Sequence, residues 1–200
     1  MGILHQIRRR ARRGESGQSL IEFALVLPLM TILALGVSEY GYVLLDDHVA
    51  TKLAREGSNL ISRDTSLQDA ATAIRTIASR PVDFNNGSKL IFSVLKKGAT
   101  SGSANYNQTI LYQRYEYGSL AATSKIHTAG SGSFSGGPDY TAANADSNTG
   151  LRVTNVSNDL INAPGGMIYV TEIFTTHTAI TPLTGLGVYV PNILYAVAYF

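Results

Sequence analysis

The chain has 200 residues, 44% hydrophobic and only 15% charged, without cysteine or tryptophan. That length suits one compact domain with an appended segment, and the missing thiols exclude a disulfide scaffold, a cysteine nucleophile and cysteine-based metal clusters. The net charge of +2 hides an uneven distribution: residues 18–200 carry eleven positive and thirteen negative charges, while Arg8, Arg9, Arg10, Arg12 and Arg13 crowd the N-terminus. A nucleic-acid-binding body is disfavoured, because the basic charge lies in a short leader and not along a face.

After the leader comes an apolar run from Leu20 to Leu45 whose only charges are Glu22 and Glu39. As a helix at about 1.5 Å per residue it spans roughly 39 Å, enough to cross a hydrocarbon core of about 30 Å with some tilt. Tyr40 and Tyr42 fall at its far end, where aromatic rings favour the headgroup zone, and the flanking arginines hold the N-terminus in the cytoplasm. A secretory signal peptide is the competing reading. The length of the run, the carboxylate at its start and the lack of a small-x-small cleavage site before Asp46 weigh against it.

Glu22 is expensive in such a helix unless it has a partner. It is the fifth residue counted from Gln18, and Gly17 precedes Gln18. A cut after Gly17 would free an α-amine at Gln18, and in a staggered bundle that amine can pair with Glu22 of a neighbour. Pro28 removes one helical hydrogen bond, and Ala34-x-x-x-Ser38 is a small-xxx-small pair that allows close helix approach or simply faces lipid.

The stretch Gly17-Gln18-Ser19-Leu20-Ile21-Glu22 resembles the cleavage site of type IV prepilins. The longer run, with Glu22–Pro28, then Gly36–Gly41 as a Gly-x-x-Glu-Tyr-Gly element, then Ala54–Gly57 as Ala-Arg-Glu-Gly, resembles the TadE-like family, pseudopilins of the tight-adherence (Tad, or Flp) pilus system. Residues 167–174 followed by Ile180-Thr181-Pro182-Leu183 echo the strand and turn near the end of such proteins. Position 18 departs from the bulky apolar start of many prepilins. The resemblance implies processing by a prepilin peptidase after Gly17, and partnership with other pilins and the Tad assembly machinery. It implies a single-pass protein of the bacterial inner membrane with its C-terminal domain outside the cytoplasm, pilus-associated, without cofactor or small-molecule substrate.

Residues 46–200 remain for an exported domain. Val49, Leu53, Leu60 and Ile61 recur at helical spacing, so the membrane helix is expected to continue. A second helix is predicted over Ser66–Ser79, capped by Thr65 with Gln68 at the capping-box position and stopped by Pro81. Strands are predicted over Leu90–Leu95, Ile110–Tyr117, Ile168–Thr176 and Ile193–Phe200. Between Ala121 and Thr149, twenty-one of twenty-nine residues are Ala, Gly, Ser, Thr or Asn, which predicts a mobile surface loop.

The expected class is α+β: an N-terminal transmembrane helix running into an exported domain whose antiparallel sheet packs on helices. Asp46-Asp47-His48 reads as a solvated turn and not a metal site, because adjacent helical residues point apart. No phosphate loop or Gly-x-Ser-x-Gly elbow occurs, so nothing supports an enzyme. Two functional readings follow: a minor pilin-like structural subunit, or an uncleaved signal-anchored module that binds a ligand outside the cell.

Overall fold

A computed structural model describes residues 3–200, with side chains described for 17–185 and 187–200. The arginine side chains of the basic leader lie outside the described residues. Helix α1 covers Ile3–Ile61, with Pro28 inside it. Its stretch Gly17–Ile61 is long and apolar enough to cross a membrane, and Leu20, Leu25, Leu29 and Leu33 all stand exposed. A helix that leaves such residues uncovered has no use for them in water; lipid or other helices are their natural surroundings.

The chain divides into two units. One holds the residues up to Val43 together with Ala179–Val190; the other holds Leu44–Thr178 and Pro191–Phe200. In the first, a short 3-10 turn, Pro182–Leu186, follows the extended Thr181 and ends at Gly187, whose φ of 81° lies in the left-handed region. Glycine enters that region without a Cβ penalty.

The second unit is built on four antiparallel strands: β1 (Ser88–Lys97), β2 (Thr109–Gly118), β3 (Met167–Thr176) and β4 (Ile193–Tyr199), in the order β2-β1-β3-β4. Phe92 stands opposite Thr171, and Ile173 opposite Ala196. The β1–β2 register slips once, at Val94/Leu95. Helix α2 (Leu67–Ile77) buries Leu67, Ala70, Ala71 and Ile74. These join Ala50, Leu53, Ala54 and Ile61 of α1 over one sheet face, where Leu90, Phe92, Val94, Ile173, Ala196 and Ala198 meet them. Each large side chain so buried contributes about 1.5–3 kcal/mol. The α+β class with an antiparallel sheet on helices is the observed architecture.

Two expectations need correction. The cap of α2 is Ser66, not Thr65: Ser66 Oγ accepts from the Asp69 N–H at 3.1 Å. The helix also ends at Ile77, two residues short of Ser79, because Ala78 turns extended ahead of Pro81. Each strand begins at the predicted place or one to two residues earlier.

The opposite sheet face is also covered. Leu95, Leu111 and Val170 pack against Ile126, Val153 and Ile161 from the long connection between β2 and β3. That connection contains the Gly/Ser/Thr/Asn-rich stretch. It is tied down by backbone bridges, Thr128 to Val153 and Gln113 to Thr141, and by bonds such as Ala142 N–H to the Tyr112 carbonyl at 2.7 Å. Its few apolar residues are spaced so that Ile126 and Ala142 reach the sheet. Being buried on both faces explains why β1 reads as a nearly continuous apolar run.

Candidate assembly and anchoring site

Five places along the first helix and its continuation bear on function. At the start of the described side chains, Gly17 has open space where a Cβ would stand. One turn on, Gln18 Nε2 donates to Glu22 Oε1 at 2.9 Å. The two residues are four apart, hence on one helix face. In the intact chain the Glu22 carboxylate therefore has a neutral local partner and is otherwise exposed.

In mid-span, Thr31 Oγ1 donates to the Leu27 carbonyl at 2.8 Å, and Ser38 Oγ to the Ala34 carbonyl at 2.9 Å. Ser38 thus satisfies its own hydroxyl within the helix, and the Ala34–Ser38 face presents little polar surface to an apolar medium. Pro28 lies in the helix interior, where its ring leaves one carbonyl a turn earlier without its helical donor. Added Cβ atoms at Gly36 and Gly41 would meet nothing within 4 Å among the described residues, so no contact with those residues requires these glycines.

Glu39, expected near a membrane interface, is fully buried. Its carboxylate accepts from the N–H groups of Ile180 at 3.1 Å and Thr181 at 2.8 Å. Tyr40 OH donates to the Tyr189 carbonyl at 3.0 Å. The segment 179–190 is therefore held at both ends by consecutive helix residues. The sequence carried the signal, since Glu39 is an acid in an apolar run like Glu22, but its partners lie about 140 residues away and no spacing rule points to them.

In the second unit, the Ala54–Gly57 element has a clear packing role. Ala54 is fully buried, and a Cβ on Gly57 would stand 2.8 Å from Thr171 Cγ2 and 3.0 Å from Phe92 Cε1. Ser58 Oγ donates to Thr171 Oγ1 at 3.0 Å and to the Ala198 carbonyl at 2.9 Å. Small residues on this face let the helix backbone settle directly onto β3 and β4.

Two polar clusters escaped the sequence. Asp46 Oδ2 lies 2.6 Å from Nδ1 of His177, whose side chain is almost wholly buried; Asp46-Asp47-His48 is thus not the expected solvated turn but a stretch of α1, and Asp46 is half of a tertiary pair. Glu172 is buried on β3 and accepts from Ser124 Oγ, from the Lys125 N–H at 2.7 Å and from Tyr195 OH at 3.0 Å. Arg114 donates to Ser124 Oγ at 2.9 Å and to the Ile126 carbonyl at 3.3 Å. Burial lowers the Arg114 pKa against the opposing pull of Glu172 and Glu116; burial and the Glu172 charge push the Tyr195 phenol well up. This network pins the connection onto the sheet. Among the described residues no group of three or more His, Asp or Glu side chains is placed to hold a metal ion.

The arrangement positions one long helix with an exposed apolar length, an acid near its start and a close-packed far end. Residues 17–59 match the family model described as TadE-like protein. No curated protein and no solved structure matches the chain. The matched stretch opens at Gly17, takes in Glu22, Pro28 and the Gly36–Gly41 element, and closes just past Gly57. Over this helix, residues 17–59, the chain is similar to the TadE-like family.

Proposed function

We propose that the chain is a minor pilin-like subunit of a Tad-type pilus, a structural protein anchored in the bacterial inner membrane and cut by a prepilin peptidase after Gly17. The observation that carries this reading is the TadE-like match beginning at Gly17 on a membrane-length helix whose apolar side chains are uncovered. Residues 1–17 are then the cytoplasmic leader, 18–45 the span, and 46–200 the domain outside the cytoplasm.

Cleavage keeps the Gln18 side chain, already bonded to Glu22, and adds a positive amine at the same residue. Glu22 then trades a neutral partner for a charged one supplied by the next subunit, which is stronger in an apolar bundle. Pro28, the Ala34–Ser38 face and the open positions at Gly36 and Gly41 are the surfaces on which neighbouring pilin helices and the assembly machinery pack. N-terminal sequencing of the membrane-extracted protein tests the proposal. Gln18 as first residue is expected; Met1 retained in a strain that builds functional pili overturns it.

A further inference from the structure

The segment 179–190, Ala-Ile-Thr-Pro-Leu-Thr-Gly-Leu-Gly-Val-Tyr-Val, has no charged residue in twelve positions. It leaves Ile180 59% and Tyr189 78% exposed. In a soluble surface loop that choice of residues wastes apolar area on water. Its tethers explain the choice. Glu39 and Tyr40, which hold it, lie nineteen and twenty residues beyond Leu20, about 28–30 Å along a helix. That is the thickness of a bilayer core, so the strap is fastened to the helix at the level where the span ends. Tyr40 and Tyr42, both about half exposed, stand at the same level.

We infer that residues 179–190 form a second membrane contact: a strap that lies in the headgroup zone of the phospholipid bilayer on the exported side, with Ile180 and Tyr189 turned into lipid. The inference rests on the reading of the helix as a membrane span. Three features suit that layer. A tyrosine prefers it because its ring is apolar and its hydroxyl wet. Backbone at the edge of the hydrocarbon has fewer waters to bond than backbone in solution, so polar groups satisfied within the chain suit it; the N–H groups of Ile180 and Thr181 bond to Glu39, and those of Gly187 and Val188 to the Thr184 and Leu183 carbonyls at 3.1 Å each. Finally, the Glu39 charge, costly at this depth, is met by two backbone dipoles.

The chain lacks cysteine, so each introduced thiol is unique. Nitroxides are attached in turn at Ile180→Cys and Tyr189→Cys in the full chain, reconstituted into phosphatidylethanolamine/phosphatidylglycerol vesicles. Leu29→Cys, exposed at mid-span, marks the span and Asp159→Cys the aqueous domain. Collision rates with oxygen, which concentrates in lipid, and with a water-soluble nickel chelate are compared. The expected oxygen-to-nickel ratio at Ile180 and Tyr189 is above that at Asp159 and below that at Leu29. It drops to the Asp159 value when Glu39→Ala is added. Ratios equal to Asp159 without that change overturn the strap, as do labels shielded from both reagents, which would mean a protein neighbour covers it. A Leu29 label reading as aqueous removes the span itself and the strap with it, and so is told apart from failure of the strap alone.

Discussion

Gly57→Ala sets two physical effects of opposite sign against each other. Alanine is the better helix former by about 1 kcal/mol, so propensity alone makes the variant more stable. Packing argues the reverse. Carbon atoms sit comfortably at about 3.5–4.0 Å, whereas the new methyl would stand 2.8 Å from Thr171 Cγ2 and 3.0 Å from both Phe92 Cε1 and Thr171 Oγ1. Neither neighbour yields readily. Both residues are fully buried, and the Thr171 hydroxyl is bonded to Ser58. Overpacking of this kind costs about 1–3 kcal/mol, so a net loss of about 1 kcal/mol is expected, and more for Gly57→Leu. Urea unfolding of the full chain in detergent micelles, followed by tyrosine circular dichroism, gives the difference directly. Thr171→Ser removes the methyl that the added Cβ would strike while keeping the hydroxyl. The double substitution is therefore expected to recover at least about 0.5 kcal/mol over additivity. If Gly57→Ala is as stable as the parent or more so, the close approach of α1 to β3 is not what this glycine serves.

Glu22→Ala is expected to leave membrane insertion intact but to lower pilus assembly by about 100-fold or more, since breaking a buried ion pair costs about 3–5 kcal/mol; counting surface pili beside membrane-fraction protein levels decides it, and normal piliation refutes the role. Glu172→Ala leaves Tyr195, Ser124 and the Lys125 N–H without their acceptor and removes one of the two carboxylates whose charge acts on Arg114. A loss of about 3–5 kcal/mol in the same unfolding assay is expected, and a loss under about 1 kcal/mol would show that the network adds little to stability. Alkaline titration probes the same cluster. Tyr195 and Tyr199 are pushed up by burial and by Glu172, while the unfolded phenols ionise near about 10. Above that pH the folded state binds more protons than the unfolded one, so stability is intact below about pH 10 and falls as pH rises beyond it. Tyr195→Phe should flatten that fall; an unchanged slope places the alkaline transition elsewhere.

Much of the protein was legible as pattern. A membrane-length apolar helix announces itself by composition, because lipid tolerates few alternatives. The second helix and all four strands rest on local periodicity, and local periodicity survives folding. The Ala54–Gly57 element was readable as a motif, but its cause was not: that Gly57 must lie against Thr171 and Phe92 follows only once β1 and β3 are brought beneath the helix. Glu39 shows the same limit. One acid in an oily run proclaims a need for partners, yet two of its partners are the backbone N–H groups of residues 180 and 181, and any residue but proline supplies an N–H. Likewise the polar connection over the second sheet face looked poor in apolar content, and its hold comes from backbone bridges that carry no side-chain signature. Periodic burial is written residue by residue along the chain. Contacts made through the backbone across more than a hundred residues are written nowhere in the side chains, and the tertiary structure alone selects them.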